Sequence, residues 1–290
     1  HPRYIAPDPL EVVREYPHVR DREIVGLIAS CLALGRVEAI VASVREVLAR
    51  LGGSAVGPAR TIAGSELHEL RAACRGFVYR FFDQDQLAGL LVGIRDVLRR
   101  HGSLERCVAV AVERGERVAP PITGYDTVSA AGVPARDIEV AGRAAGGAAT
   151  AGGRLITGLS GLVDEIVAGS RGALQSSILL SRPGRGSACK RLFLYARWMV
   201  RSDEVDPGGW QVLTPTDLLM PVDTHVLKVA RALGMTERRQ ATQLVSREIT
   251  DALRELDQAD PVRFDFSLTR PGINPLLDEA QWLDSLTQSA

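Results

Sequence analysis

The chain has 290 residues, 46 % of them apolar, so it is long enough for one large domain or two lobes around a sizeable core. Its 35 lysines and arginines balance 35 aspartates and glutamates, which excludes a global field for nucleic acid or membrane; any such surface has to be local. Four scattered cysteines without a CxxC pair argue against a disulfide scaffold, a zinc site or an iron–sulfur cluster, and no run approaches the ~20 apolar residues that cross a bilayer.

In chain order, residues 1–20 combine proline, charge and aromatics and predict an irregular entry with a short helix. The opening HPRYIAPDPL lacks a secretory apolar core, so a cytoplasmic protein with no membrane association is expected. Residues 21–52 read as two helices joined near residues 33–37. Ile24, Leu27, Ile28, Cys31 and Leu32 recur at helical spacing, as do Val41, Val44, Leu48 and Leu51, and Gly52-Gly53 ends the second. SELHELRAACRGFVYRF, DQDQLAGLLVGIRDVLRRHGS and SLERCVAVAVERG predict three more amphipathic helices. Strand alternation is almost absent, and the predicted class is all-α. Residues 118–153 end in AGRAAGGAATAGG, whose small side chains favour a flexible insertion. LITGLSGLVDEIVAGS predicts a weak helix, SRPGRGSACKRLFLYARWMVR a tight turn into a strong one, and QATQLVSREITDALREL and DPVRFDFSLTRPGI two further helices. Cys31, Cys74, Cys107 and Cys189 are expected as buried thiols.

Chemistry concentrates in three places. Gly184, Arg185, Gly186 and Ser187 stand just before a helix, in a turn whose amides are able to approach a phosphate; a plain helix-entry turn explains the same residues. On the following helix Lys190, Leu194, Arg197 and Arg201 share a face, since steps of seven and eleven residues return to within about 20°. This stripe is either a local basic patch or a face neutralised by Asp203, Glu204 or Asp206. Asp223 follows Pro221 and opens LMPVDTHVLKVAR, as a helix cap or as a group returned to the mouth of the same site. Tyr195 and Trp198 are expected in the core.

These residues carry a resemblance. PVDTHVLKVARALG resembles the VDTH helix start of the helix-hairpin-helix base-excision DNA glycosylases, the endonuclease III superfamily, and the Lys-to-Asp gap is more similar to that of archaeal 8-oxoguanine DNA glycosylases. GSACKRLFLYARWMVRSDEVDPGGW, MPVDTHVLKVAR and DPVRFDFSLTRPGI resemble more closely a widespread bacterial family along most of the chain. The resemblance implies a two-lobed helix-hairpin-helix glycosylase fold, with residues 22–215 forming one lobe, residues 1–21 and 216–290 the second, and the cleft between them. It implies Lys190 as nucleophile and Asp223 as its catalytic partner. Gly184, Arg185, Gly186 and Ser187 would grip backbone phosphate, and Gly35 and Arg36 would form the turn inserted beside a flipped base. Arg197, His225, Asp265 and Thr269 would line the base pocket, although an isolated His225 equally suits packing or capping. The implied partner is damaged duplex DNA, bound by a monomer associated with the bacterial nucleoid; no cofactor and no metal are implied. PGRGSACK is two residues longer than the usual PGVGxK hairpin, no cluster cysteines follow Cys189, and Thr269 stands where the archaeal enzymes carry an aromatic.

The chemistry suits these groups. Breaking an N-glycosidic bond builds positive charge on the sugar, which a carboxylate stabilises while an amine attacks C1′. The amine has to be neutral, and Arg197, two turns on, is placed to be a neighbouring cation that favours this. A lysine adduct opens to an imine and permits strand cleavage, so a combined glycosylase and abasic-site lyase is expected. Two alternatives remain: a nucleic-acid-binding protein of the same fold without the reaction, and a glycosidase acting on a free modified nucleoside.

Overall fold

The computed structural model describes residues 5–52, 56–118, 152–183 and 187–273. Among them the chain is helical apart from one two-stranded hairpin. Helices α1 (Leu10–Arg14), α2 (Val19–Leu32), α3 (Val37–Arg50), α4 (Pro58–Gly64) and α5 (Leu67–Cys74) lead into β1 (Val78–Tyr79) and β2 (Phe82–Asp83). Then come α6 (Gln84–His101), α7 (Leu104–Val118), α8 (Gly153–Gly169), α9 (Lys190–Val200), α10 (Thr224–Ala232), α11 (Gln243–Arg254) and α12 (Asp265–Ile273). Short 3-10 turns occupy Pro215–Asp217 and Pro261–Phe264.

The caps set most boundaries. Asp83 accepts the amides of Asp85 and Gln86 while Gln86 returns the bond, a capping box at the start of α6, and Gly102 at φ 81° ends that helix. Glu66 and Glu69 form the same box on α5. Thr242 caps α11 through Val245 N.

The middle helices depart from the periodic reading in two ways. SELHELRAACRGFVYRF, predicted as one helix, is α5 followed by the hairpin. Arg75 leaves helical geometry and Gly76 takes φ +74°, a conformation open to glycine. Tyr79 and Phe82 then pair and turn inward, a repeat too short to leave an alternating signal. The helix predicted as weak is α8, a long buried element against α6 and α7. Its glycines, which lower intrinsic propensity, are what let it approach: a Cβ on Gly158 would meet Val108 Cγ1 at 2.6 Å, and one on Gly169 would meet Gly93 Cα at 2.9 Å. The insertion predicted over 118–153 lies almost entirely outside the described residues.

One apolar core runs through the described helices, with α2 buried along most of its length and packed by α1, α3, α4 and α9. Within it Glu23 accepts the amides of Leu104 and Glu105 at 3.0 Å and the indole N–H of Trp210 at 3.1 Å. A buried carboxylate therefore caps α7 from a neighbouring helix, satisfying donors that would otherwise be orphaned. Burial pushes this carboxyl up, against the lowering by those three donors. Tyr195 and Trp198 lie in the core as expected, Tyr195 edge-on to Trp210 with centroids 5.2 Å apart. All four cysteines are free and buried, and burial pushes the Cys31, Cys74 and Cys107 thiols up to about 12. Among the described residues no helix is long and apolar enough to cross a membrane.

Candidate active site

Lys190 begins α9 because the residue before it is held in an unusual conformation. Cys189 has φ 46°, the left-handed region that non-glycine residues avoid at a cost of roughly 1–2 kcal/mol. Cys189 is buried, its amide donates to Ser187 Oγ at 3.4 Å, and its thiol faces Ser181 O at 3.8 Å. This corner turns the chain so that the first helical side chain, Lys190, meets solvent. Ser187 bridges to Thr242 and lines the cleft from an exposed position. Gly184, Arg185 and Gly186, predicted as the phosphate-gripping turn, lie outside the described residues.

Asp223 arrives from the far side as the cap of α10. Its Oδ1 accepts Val226 N at 2.9 Å, and its Oδ2 accepts Lys190 Nζ at 2.8 Å. The two groups face each other on a cleft of about 600 Å³. The Lys190 side chain is 40 % exposed and that of Asp223 17 %, so the pair is reachable from water. Burial works against the Asp223 charge, but the Lys190 ammonium and the Val226 amide outweigh it and hold the carboxyl below the usual aspartate value.

The other predicted residues distribute unevenly. Gly35 (φ 112°), His225, Asp265 and Thr269 all line the same cleft. Arg36 occupies the N-cap position of α3 beside it, exposed and without a side-chain bond to the helix. The Thr269 hydroxyl donates to Asp265 O at 2.9 Å, within its own helix. Asp265 is 2 % exposed and ion-paired to Arg197, yet its Oδ1 is buried with no hydrogen-bond partner. Burial pushes this carboxyl up despite the lowering by Arg197.

Arg197 requires a correction. Expected as a cation beside Lys190 on a stripe that was either a basic patch or a neutralised face, it lines the cleft but is 3 % exposed and locked in a network, the second of those readings. Its Nε and Nη2 donate to Asp206 at 3.0 and 2.9 Å and its Nη1 to Asp265. Burial opposes its charge, but Asp206 and Asp265 more than offset that and raise its pKa. Arg201 is likewise buried, against Asp203, Asp206 and Asp260. The stripe on α9 is therefore a neutralised internal face that fixes the cleft floor, and of its three cations only Lys190 opens to solvent.

Sequence reasoning missed Arg191. Its Nη1 donates to Cys31 O at 2.6 Å, and its guanidinium lies 5.8 Å from the Phe82 ring centroid, tying α9 to α2 and to the hairpin beside the cleft. Adjacent to Lys190 and off the apolar period, it leaves no signal in the sequence. Among the described residues no group of three or more His, Cys, Asp or Glu is arranged to hold a metal ion.

A helical fold that sets a lysine and an aspartate from two helices against each other on an open cleft defines a class of site with amine and carboxylate chemistry. The chain belongs to the family described as protein of unknown function (DUF2400), whose model matches residues 8–274. No curated protein and no solved structure matches it.

Proposed function

We propose that this protein is a DNA repair glycosylase and abasic-site lyase of the two-lobed helix-hairpin-helix type, excising a damaged base through Lys190 and Asp223. The observation that carries the reading is the 2.8 Å contact between the Lys190 amine and the Asp223 carboxylate on a solvent-reachable cleft. The cleft walls come from both proposed lobes: Asp8, Asp223 and Asp265 from one, Leu34, Gly35 and Lys190 from the other.

In the proposed reaction the amine bonds to C1′, the C1′–N bond breaks, and the base leaves with a proton the amine gives up. Asp223 stabilises the positive charge on the sugar. Opening of the C1′–O4′ bond leaves an imine, and loss of a C2′ proton expels the 3′ phosphate. The base has to leave its stack at a cost of a few kcal/mol. The turn at Gly35 and Arg36 stands at the cleft edge to fill the gap. Asp265 Oδ1, buried and without a partner, suits an N–H donor of the extruded base. 8-oxoguanine is one candidate among damaged bases, and Thr269, where the archaeal enzymes of the resemblance carry an aromatic, counts against it. The protein acts as a monomer on duplex DNA in the cytoplasm, at the nucleoid, without a cofactor.

Borohydride trapping tests this. Incubating the protein with duplexes carrying an abasic site or a damaged base, then reducing, should give a covalent protein–DNA adduct that Lys190→Gln abolishes. DNA binding with no adduct on any of these substrates would leave the non-catalytic nucleic-acid binder. Activity on free nucleosides without DNA affinity would leave the nucleoside glycosidase.

A further inference from the structure

Arginines in this protein are mostly occupied. Arg14, Arg22, Arg50 and Arg95 donate to backbone carbonyls, and Arg197 and Arg201 are ion-paired in the interior. Arg60, Arg114, Arg231, Arg239 and Arg247 make no such bond at separate places among the described residues, whereas around the hairpin four arginines without one occur together. The side chains of Arg36, Arg71, Arg75 and Arg80 make no hydrogen bond or ion pair among the described residues, and the Arg80 guanidinium lies 5.7 Å from the Phe81 ring centroid. Arg36 and Arg80 stand at the cleft edge, and Arg71 and Arg75 across the hairpin from them. Tyr79 Oη donates to Leu34 O at 2.8 Å, and a Cβ on Gly35 would meet Arg80 Nη1 at 2.8 Å, so the hairpin loop abuts the turn at the cleft edge. Arg80 holds φ 56° at the first loop position, a conformation usually given to glycine. On the other side of the hairpin Gly76 N donates to Gln84 Oε1 at 2.8 Å. There a concavity of about 430 Å³ is lined by Arg71, Arg75 and Arg171 against one carboxylate, Asp85. Arg171 is ion-paired to Asp96 at 3.5 Å, which leaves Arg71 and Arg75, neighbours on one segment, as the unpaired cations of the concavity.

We propose that this surface is a track for the phosphate backbone of a nucleic-acid strand, running from the catalytic cleft past Arg36 and Arg80 into the Arg71–Arg75–Arg171 concavity. The inference rests on the glycosylase reading for what occupies the cleft, and extends the DNA contact to a second anchoring site outside it. It also explains how a chain of zero formal net charge holds a polyanion: the positive charge is local and left unneutralised where the strand runs.

The experiment compares wild type with the double variant Arg71→Ala/Arg75→Ala. Both residues are exposed and without side-chain partners, so folding should survive; circular dichroism checks it. Affinity for a fluorescent duplex with a central abasic-site analogue is measured over a salt series, with borohydride trapping yield at saturating DNA. The expected result is weaker binding and a slope of log affinity against log salt shallower by about 2, one unit per lost phosphate contact, with trapping at saturation unchanged. Wild-type affinity and slope in the double variant would overturn the track while leaving the glycosylase standing. A weakened variant in a protein that never traps would support the track and overturn the catalytic reading. Absence of DNA binding by wild type would overturn both.

Discussion

Asp223 Oδ1 accepts the Val226 amide while Oδ2 accepts the Lys190 ammonium, so one carboxylate is both a helix cap and the partner of the amine. The two roles separate by substitution. Asp223→Asn keeps an oxygen for the cap and removes the charge. Because Lys190 is partly solvated, the pair itself is worth less than about 1 kcal/mol. Asn should therefore lower base excision about a hundredfold or more while barely moving thermal stability, and Asp223→Ala should cost roughly 1 kcal/mol more by losing the cap. Single-turnover kinetics and urea titrations read the two effects. The pH dependence has a fixed sign. The folded-state carboxyl sits below its ordinary value, so the stability from the pair is present above the unfolded pKa near ~3.9 and is lost as pH falls through the lower folded value. Wild type and Asp223→Asn should accordingly converge in stability in strong acid and differ by a constant amount at neutral pH. The pair was legible in the sequence because each member opens a helix with a recognisable start. For Arg197 the sequence left two readings open, a patch or a face neutralised by residues such as Asp206; it named that partner nine residues on, but gave no sign of Asp265, sixty-eight residues away.

Among elements, α6, α7 and α8 pack where side chains are missing. A Cβ on Gly93 would fall against the Ile166 carbonyl oxygen and side chain, with nothing flexible enough to move aside. Gly93→Ala should therefore destabilise the protein by about 1–3 kcal/mol, although alanine is the better helix former; a lower urea midpoint at constant slope is the expected readout. Glycines in a helical window lower its apparent strength, so α8 read as weak, and only the facing helices disclose that the same glycines are contact points. The hairpin was missed on similar grounds: two residues per strand leave no period to detect, and the strands are held by the Tyr79–Leu34 bond and the packing of Phe82 under Arg191.

For the whole molecule, the internal Arg–Asp network joins α9, the loop after it and α12 into one floor beneath the cleft. Asp206 accepts from both Arg197 and Arg201 and is fully buried. Asp206→Ala would leave the Arg197 Nε and Nη2 donors buried without an acceptor, with Asp265 still on Nη1 and Asp203 and Asp260 still on Arg201, and should cost about 3 kcal/mol, seen as a lower thermal midpoint. Because these cations are sealed inside, the proposed DNA contact falls to the unpaired arginines around the hairpin.

By itself the sequence determined the helical class, most helix boundaries, the buried cysteines and aromatics, and the two residues that carry the proposed reaction, because amphipathic period, caps and helix-start motifs are local properties of the chain. Only the tertiary structure decided which charges meet each other and which meet water. It sealed Arg197 and Arg201 of the basic stripe in a network, brought Lys190 and Asp223 within 2.8 Å, and left unpaired arginines around a hairpin that no periodicity announced. Charge pairing depends on distance through space, and that distance is set by how the helices pack rather than by the spacing of residues along them.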